Sequence, residues 1–202
     1  MNESKLRIFQ VAFSLFLQKS FKEVTMNEIL EKSGLSRGTF YYYFKSKEEL
    51  YAEVIDAFFV VMPTGTQNTL NVTSLYDFYH DYLDNASRTY AKLGETIEEA
   101  DVDVFSYFSL SFDAMKRLPD FRNKMKLISD EIIQIWIKVI RTAREKGEIS
   151  SEMTDEQIAC FFKFTMEGMG LKSQFEGKPS VENDKELIDL WDNFYSEIKA
   201  SK

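Results

Sequence analysis

Four residues divide positions 25–49 into short helices. Thr25 and Ser46 are each followed three residues later by a glutamate, so that a hydroxyl and a carboxylate satisfy free backbone N–H groups at a helix start. Gly34 stands where a left-handed residue ends a helix, and Ser36 suits the cap of the next one. This spacing predicts two short helices separated by three residues, and a further helix that begins after Ser46.

Apolar residues recur at every third or fourth position through most of the chain, which is the period of an amphipathic helix. The 202 residues include only three Pro and eight Gly, too few for the many turns of a β-sandwich or barrel. The predicted helices span residues 4–18, 26–33, 37–44, 47–62, 73–93, 103–117, 119–145, 155–175 and 183–199. We therefore predict an all-α protein without strands.

Charge is divided unevenly along the chain. Residues 1–50 carry eight Lys or Arg and six Asp or Glu, a net charge of +2, whereas the remaining residues carry −10 and bring the total to −8. A basic end on an acidic body suits a modular protein in which one end alone touches a polyanion.

Two short helices joined by a tight turn that contains glycine, behind a longer first helix, are typical of a helix-turn-helix, whose second helix fits the DNA major groove. At about 100° per residue, Phe40 and Phe44 share one face of that second helix, while Gly38 and Tyr42 lie opposite. Tyrosine hydroxyls donate to phosphate oxygens, and Gly38 permits close approach of the helix backbone. The aromatic cluster alone would also suit the core of a plain bundle, but the caps and the turn favour DNA binding.

The run from Gly34 to Leu50, GLSRGTFYYYFKSKEEL, resembles the signature of TetR-type (TetR/AcrR-like) transcriptional regulators. The likeness extends upstream to Phe16 and covers roughly the first quarter of the chain. It implies an N-terminal three-helix, helix-turn-helix DNA-binding domain over residues 1–47. It also implies a C-terminal helical bundle for effector binding and dimerisation over residues 48–202.

Carried over to this sequence, the resemblance implies that Thr25 caps the second helix and touches a phosphate, and that Lys47 meets a phosphate at the start of the fourth helix. A cation beside the free amide donors of a helix start suits a phosphate independently of any family. Phe40 and Phe44 should be core. The predicted DNA-contacting residues are Thr25, Arg37, Gly38, Thr39, Tyr41, Tyr42, Tyr43 and Lys47.

A helical bundle that holds a small ligand lines its cavity with aromatic side chains and a few polar tips. The candidate pocket residues are Tyr82, Tyr107, Phe108, Phe112, Trp136, Phe162, Met166 and Met169. We expect a small-molecule effector bound there to release the protein from its operator, which makes the protein a repressor. The alternative is a helical small-molecule binding protein without specific DNA recognition.

TetR-like proteins use their last two long helices as a dimer interface, so the resemblance implies a homodimer. Two recognition helices held about one DNA turn apart read a palindromic operator in double-stranded DNA. The candidate interface residues are Phe175, Leu187, Leu190, Trp191 and Phe194. The same residues could instead form core within one chain.

No residue pattern predicts a catalytic site, a cofactor or a metal site. The single His and single Cys exclude a polyhistidine metal site and an intrachain disulfide. No nucleophile motif accompanies the neighbouring His80 and Asp81, and we interpret Cys160 as a buried small hydrophobe. No apolar run approaches the roughly 18 residues that span a bilayer, so we expect a cytoplasmic protein without a membrane partner.

Overall fold

The computed structural model of the chain describes residues 2–61, 72–96, 104–176 and 180–200, most of them helical. The helices are α1 (Glu3–Gln18), α2 (Met26–Ser33), α3 (Arg37–Tyr43), α4 (Lys47–Asp56), α5 (Leu75–Thr96), α6 (Val104–Arg117), α7 (Phe121–Glu145), α8 (Asp155–Glu176) and α9 (Ser180–Ile198). α4 continues as a π-helical segment, Ala57–Val61. The described residues contain no β-strand, and an isolated bridge pairs Ile149 with Lys199. The predicted all-α class is confirmed.

The helices form two compact units. Unit 1 contains residues 1–64 and 90–122, and unit 2 contains residues 65–89 and 123–202. α4 belongs to unit 1, because its apolar face is buried and it packs on α1, as does α6. The domain boundary predicted between residues 47 and 48 stays a prediction, and helix packing groups α4 with the three helices before it.

Aromatic side chains form the centre of unit 1. The Tyr51 ring of α4 meets Phe16 and Phe21 edge-on, each at a centroid distance of 4.9 Å. Phe13 of α1 meets Phe58 in the same manner at 5.2 Å. All five rings are buried, and burying one aromatic side chain stabilises a fold by about 1.5–3 kcal/mol. These contacts hold α4 against α1 and against the turn that follows α1.

A second aromatic cluster forms the core of unit 2. The Trp136 ring of α7 stacks on Phe162 of α8 at a centroid distance of 4.8 Å, and Trp191 of α9 meets Phe162 edge-on at 5.3 Å. Tyr79 of α5 stacks on the same Phe162 ring at 5.4 Å. The Trp191 indole N–H donates to Thr165 Oγ1 at 2.9 Å, which satisfies its buried polar atom. Side chains of α5, α7 and α9 thus meet at one phenylalanine of α8, Phe162.

Candidate nucleic-acid interface

The turn between α2 and α3 has the geometry that the glycine predicts. Gly34 adopts φ 65°, in the left-handed region, and its N–H donates to the Glu31 carbonyl oxygen at 3.2 Å. The Leu35 N–H donates back to the Leu30 carbonyl oxygen at 3.3 Å, which completes a Schellman motif. The motif satisfies carbonyl groups that the end of α2 leaves free. It also fixes the direction in which α3 departs.

α3 begins with a side-chain cap and presents two unlike faces. Ser36 Oγ accepts from the Thr39 N–H at 3.1 Å and lies 2.9 Å from the Thr39 hydroxyl oxygen. Phe40 is fully buried, as the helical spacing predicts. In contrast, Tyr41 is 53% exposed and Tyr42 is 81% exposed. Large aromatic side chains rarely stand this far out of a soluble domain without a partner surface.

Two more predicted contact residues lie at the start of α3. The Arg37 guanidinium donates to Asn27 Oδ1 of α2 at 3.0 Å, which orients it across the turn. Sequence reasoning missed Asn27, since a pairing between residues ten positions apart has no local signal. Gly38 is exposed, and nothing in the chain crowds its Cα. Tyr43 is half-buried, and its ring meets Tyr42 edge-on at 4.9 Å.

Thr25 caps α2, as predicted. Its hydroxyl oxygen accepts from the Glu28 N–H at 3.1 Å. The Glu28 carboxylate accepts from the Lys19 ammonium at 2.6 Å, and this hydrogen bond is the main reason that the pKa of Glu28 is lowered. The Thr25 backbone amide adds a smaller lowering of that pKa, as the reciprocal half of a capping box requires.

Lys47 has partners within the chain. Its ammonium donates to the carbonyl oxygens of Phe21 and Val24, at 2.7 Å and 2.6 Å, and lies 4.0 Å from the centroid of the Phe21 ring. Desolvation lowers the pKa of Lys47. The phosphate contact proposed for this residue stays a prediction, because the ammonium is already engaged with the turn before α2.

A comparison with known protein families identifies one that shares this sequence pattern. Residues 8–54 match the family model described as "Bacterial regulatory proteins, tetR family". That range contains the end of the first helix, both capping boxes, the left-handed glycine and the whole of α3. Residues 8–54 therefore carry the N-terminal pattern of the TetR family.

Individual relatives agree with the family match. The HTH-type transcriptional regulator YerO of Bacillus subtilis (strain 168) is 48% identical over 50 residues, which cover 25% of this chain and 17% of YerO. The biofilm operon icaADBC HTH-type negative transcriptional regulator IcaR of Staphylococcus aureus (strain Newman) is 22% identical over 133 residues, 61% of this chain and 72% of IcaR. A TetR-family regulator structure from Cytophaga hutchinsonii aligns over 100% of this chain and 99% of its own, with a TM-score of 0.70 and 14% identity. The last match shows that the fold extends over both units.

The candidate effector-pocket residues of this chain do not form one group. Phe108 and Phe112 lie on α6 in unit 1, where their rings stack at 6.3 Å and Phe112 is 54% exposed. The Tyr107 side chain lies outside the described part of the structure. The other candidates, Tyr82, Trp136, Phe162, Met166 and Met169, lie in unit 2.

Within unit 2, Trp136 and Phe162 are core residues. They are 1% and 0% exposed, and they stack on each other and on neighbouring rings. Tyr82, Met166 and Met169 are partly buried around this core. Trp136 and Phe162 thus pack against protein in the core, and the prediction that they line a pocket stays a prediction.

A groove between α5 and α9 of unit 2, of about 350 Å³, is lined by other residues: His80, Leu83, Asp84, Ser87, Asp184, Lys185 and Ile188. His80 Nε2 lies 3.0 Å from Asp192 Oδ1, so its acidic partner is distant in sequence and is not the adjacent Asp81. Ser87 donates to Asp184 Oδ2 at 2.5 Å. Burial raises the pKa of Asp184, and the Ser87 hydrogen bond opposes this shift in part. Sequence reasoning missed the groove because its walls come from helices about 100 residues apart.

The candidate interface residues fall into two groups. Leu187 and Trp191 are 3% and 0% exposed and belong to the core of unit 2, so the alternative of an intrachain core is correct for them. Phe194 is half-buried against Phe161, with ring centroids 3.8 Å apart. Phe175 is 83% exposed, and Leu190 is 40% exposed. Of the five candidates, only Phe175 and Leu190 expose apolar surface that another chain could cover.

Two further properties concern the described residues alone. None of their helices is long and apolar enough to cross a membrane. They bring together no group of three or more His, Cys, Asp or Glu side chains able to hold a metal ion.

Cys160 is half-buried, so the expectation of full burial is wrong.

Proposed function

We propose that this chain is a TetR-family repressor that binds a palindromic operator as a homodimer and leaves it when a small effector binds its C-terminal helices. The observation that carries the proposal is the two-faced α3. Phe40 anchors the helix in the core, while the aromatic and hydroxyl groups of Tyr41 and Tyr42 face solvent. A helix anchored in this manner can enter a major groove without unfolding its domain.

The chemistry of the exposed face suits duplex DNA. Arg37 retains guanidinium N–H groups beyond the one held by Asn27, and an Arg fork binds the O6 and N7 acceptors of guanine. The hydroxyls of Thr39, Tyr41 and Tyr43 suit phosphate or sugar oxygens, and the Tyr42 ring suits a thymine methyl. Thr25 lies at the N-terminus of α2, where free backbone N–H groups favour phosphate.

Repression follows from the likeness to IcaR, which is named a negative transcriptional regulator. An effector that prefers a conformation with mis-spaced recognition helices must weaken DNA binding by the same factor by which DNA weakens effector binding. The α5–α9 groove of unit 2 is the first site at which effector binding should be tested. Such a regulator works in the compartment that holds the DNA, which for a bacterial protein is the cytoplasm.

The homodimer rests on a stripe of α8. Phe164, Leu171 and Phe175 are 59%, 41% and 83% exposed, and their spacing of seven and four residues places them on one face of the helix. Gly168 lies between them, and a Cβ there would meet no atom within 4 Å. Leu190 of α9 is also exposed. A second copy of this chain is the occupant that the family predicts for this face.

The proposal is tested by fluorescence anisotropy of duplex fragments from around the protein's own gene, across a salt series. Saturable binding whose affinity falls steeply with salt is expected, because DNA binding by cationic groups releases counterions. Tyr42→Ala should weaken binding strongly. Leu127→Ala, at a 63% exposed position of α7 that is not among the residues of the proposed surfaces, is the matched control and should bind like the wild type.

Weak binding that Tyr42→Ala does not change would reject the regulator. It would favour the alternative, a helical small-molecule binding protein without specific DNA recognition.

A further inference from the structure

We propose that Lys47 and Arg117 are positioning residues for DNA binding, because both side chains restrain the turn before α2. This inference rests on the proposed function, because the turn leads directly into Thr25 at the N-terminus of α2. Arg117 lies at the end of α6, far outside residues 8–54 that match the family model.

Lys47 joins the start of α4 to the turn. Its ammonium uses two of its three N–H donors on the Phe21 and Val24 carbonyl oxygens, and it faces the Phe21 ring. Both hydrogen bonds are short, as expected for charge-assisted bonds. One donor is left, and the ammonium is partly removed from water. The two hydrogen bonds fix the turn on the start of α4.

Arg117 reaches the same ring from α6. Its guanidinium carbon lies 4.4 Å from the Phe21 centroid, within the range of a cation–π contact. Its Nε donates to Asp113 Oδ2 at 2.9 Å, and the same carboxylate oxygen accepts from the Tyr51 hydroxyl at 3.3 Å. Tyr51 in turn packs on Phe21. The guanidinium is therefore oriented by an ion pair and held against the ring.

Phe21 is thus the common point of both cations. It is 8% exposed and also stacks on Phe16 at 5.9 Å. Three residues after it, the Val24 carbonyl oxygen binds Lys47, and the next residue is the cap of α2. Because both cations restrain one short turn, losing either should loosen the N-terminus of α2 before DNA is present.

The test compares Lys47→Met and Arg117→Met with the wild type in two measurements. Amide hydrogen exchange of the DNA-free protein should quicken over residues 19–25 in both variants, while far-UV circular dichroism stays unchanged. Kd for the duplex fragment should rise by roughly tenfold, as for loss of one charge-assisted hydrogen bond. The slope of log Kd against log salt should not change for Arg117→Met, because that substitution removes no phosphate contact.

Three variants sharpen the result. Lys45→Met removes the same charge from an exposed side chain two residues away and should leave exchange over residues 19–25 unchanged. Lys47→Arg keeps a cation able to donate to both carbonyl groups and should restore most of the affinity. The double variant, Lys47→Met with Arg117→Met, should weaken binding by less than the product of the single effects, because both side chains act through Phe21.

A salt slope smaller by about one for Arg117→Met would identify a direct phosphate contact by Arg117 and overturn the inference for that residue. Exchange that matches the wild type in both single variants would also overturn it. Failure of the wild type to bind duplex would reject the proposed function separately, and exchange in the DNA-free protein would still decide whether the two cations hold the turn.

Discussion

Gly38 has no structural reason to be glycine within the chain. It is exposed on α3, its φ is not in the left-handed region, and an added Cβ would meet Ser36 Oγ at 3.7 Å, an ordinary van der Waals distance. Glycine in an exposed helix normally costs stability relative to alanine. A close approach of the helix backbone to DNA would account for that cost.

Gly38→Ala should therefore separate folding from binding. We expect the free energy of unfolding to rise by about 0.5–1 kcal/mol, because the unfolded chain loses conformational freedom. DNA affinity should fall, since the methyl group lies where the duplex would approach. Chemical denaturation and anisotropy measure the two effects. Equal or tighter DNA binding by the variant would show that the duplex does not approach the helix at this position.

Gly34 is the opposite case, since its φ of 65° suits glycine alone. Gly34→Ala should lower the free energy of unfolding by about 1 kcal/mol, the cost of a left-handed alanine, although Arg7 Nη2 at 3.9 Å leaves room for the methyl group. Urea denaturation beside Gly38→Ala makes the comparison. Stabilisation by both substitutions would contradict the left-handed turn.

Asp184 gives unit 2 a specific pH dependence. Burial raises its pKa above the ordinary value of 3.8, so the folded protein holds this proton to a higher pH than the unfolded chain does. The free energy of unfolding should therefore fall as the pH rises above the ordinary pKa of an aspartate. Asp184→Asn should reduce this fall, whereas Asp189→Asn, at an exposed position of the same helix, should not. Unfolding curves from about pH 4 to pH 7 test this, and parallel profiles for the wild type and both variants would argue against it.

At the level of elements, most helix boundaries follow from local chemistry. Thr25, Ser36 and Ser46 each accept a hydrogen bond from a backbone N–H three residues ahead, so the starts of α2, α3 and α4 could be predicted from the sequence. Pro119 suggests a start for α7 that is two residues early. There the Phe121 N–H first closes a turn on the Leu118 carbonyl oxygen.

The start of α5 has a local cap, since Ser74 Oγ accepts from the Asp77 N–H at 3.3 Å, and a second cap from a residue more than 70 positions away. The Glu148 carboxylate accepts from the Leu75 and Tyr76 N–H groups, at 3.1 Å and 3.0 Å, and from Ser74 Oγ at 3.1 Å. The Tyr195 hydroxyl donates to it at 3.2 Å, and burial together with this carboxylate raises the pKa of Tyr195 to about 12. No sequence pattern near α5 predicts the Glu148 cap, because tertiary packing brings this acceptor to the start of the helix.

Glu148→Ala should lower the free energy of unfolding by about 2 kcal/mol, since it removes a negatively charged cap from a helix N-terminus and leaves its donors without a protein partner. Glu145→Ala, an exposed position three residues earlier, is the control and should change stability by less than about 0.5 kcal/mol. Thermal and chemical denaturation both report this difference. Similar losses in the two variants would mean that the cap contributes nothing specific.

For the whole molecule, periodicity predicts which helices are apolar but not which apolar stripe faces solvent. Trp191 and Phe175 are both large aromatic residues predicted at the dimer interface, yet Trp191 is 0% exposed and Phe175 is 83% exposed. The difference comes from how α7, α8 and α9 pack around Phe162, which depends on distant parts of the chain. The same limit applies to the α5–α9 groove, whereas the exposed face of α3 follows from local helical periodicity.

The exposed stripe of α8 predicts the assembly state. Phe164→Glu and Phe175→Glu, made together, should convert a homodimer into a monomer of 23.6 kDa, because a carboxylate in an apolar interface loses its hydration without gaining a partner. The fold should survive, since both side chains are more than half exposed in the single chain. Leu127→Glu, at an exposed position of α7, is the control and should leave the mass unchanged. Sedimentation equilibrium measures the mass. Operator affinity should fall when the dimer is lost, because one short recognition helix then acts alone. A double variant that remains dimeric would place the interface on another face.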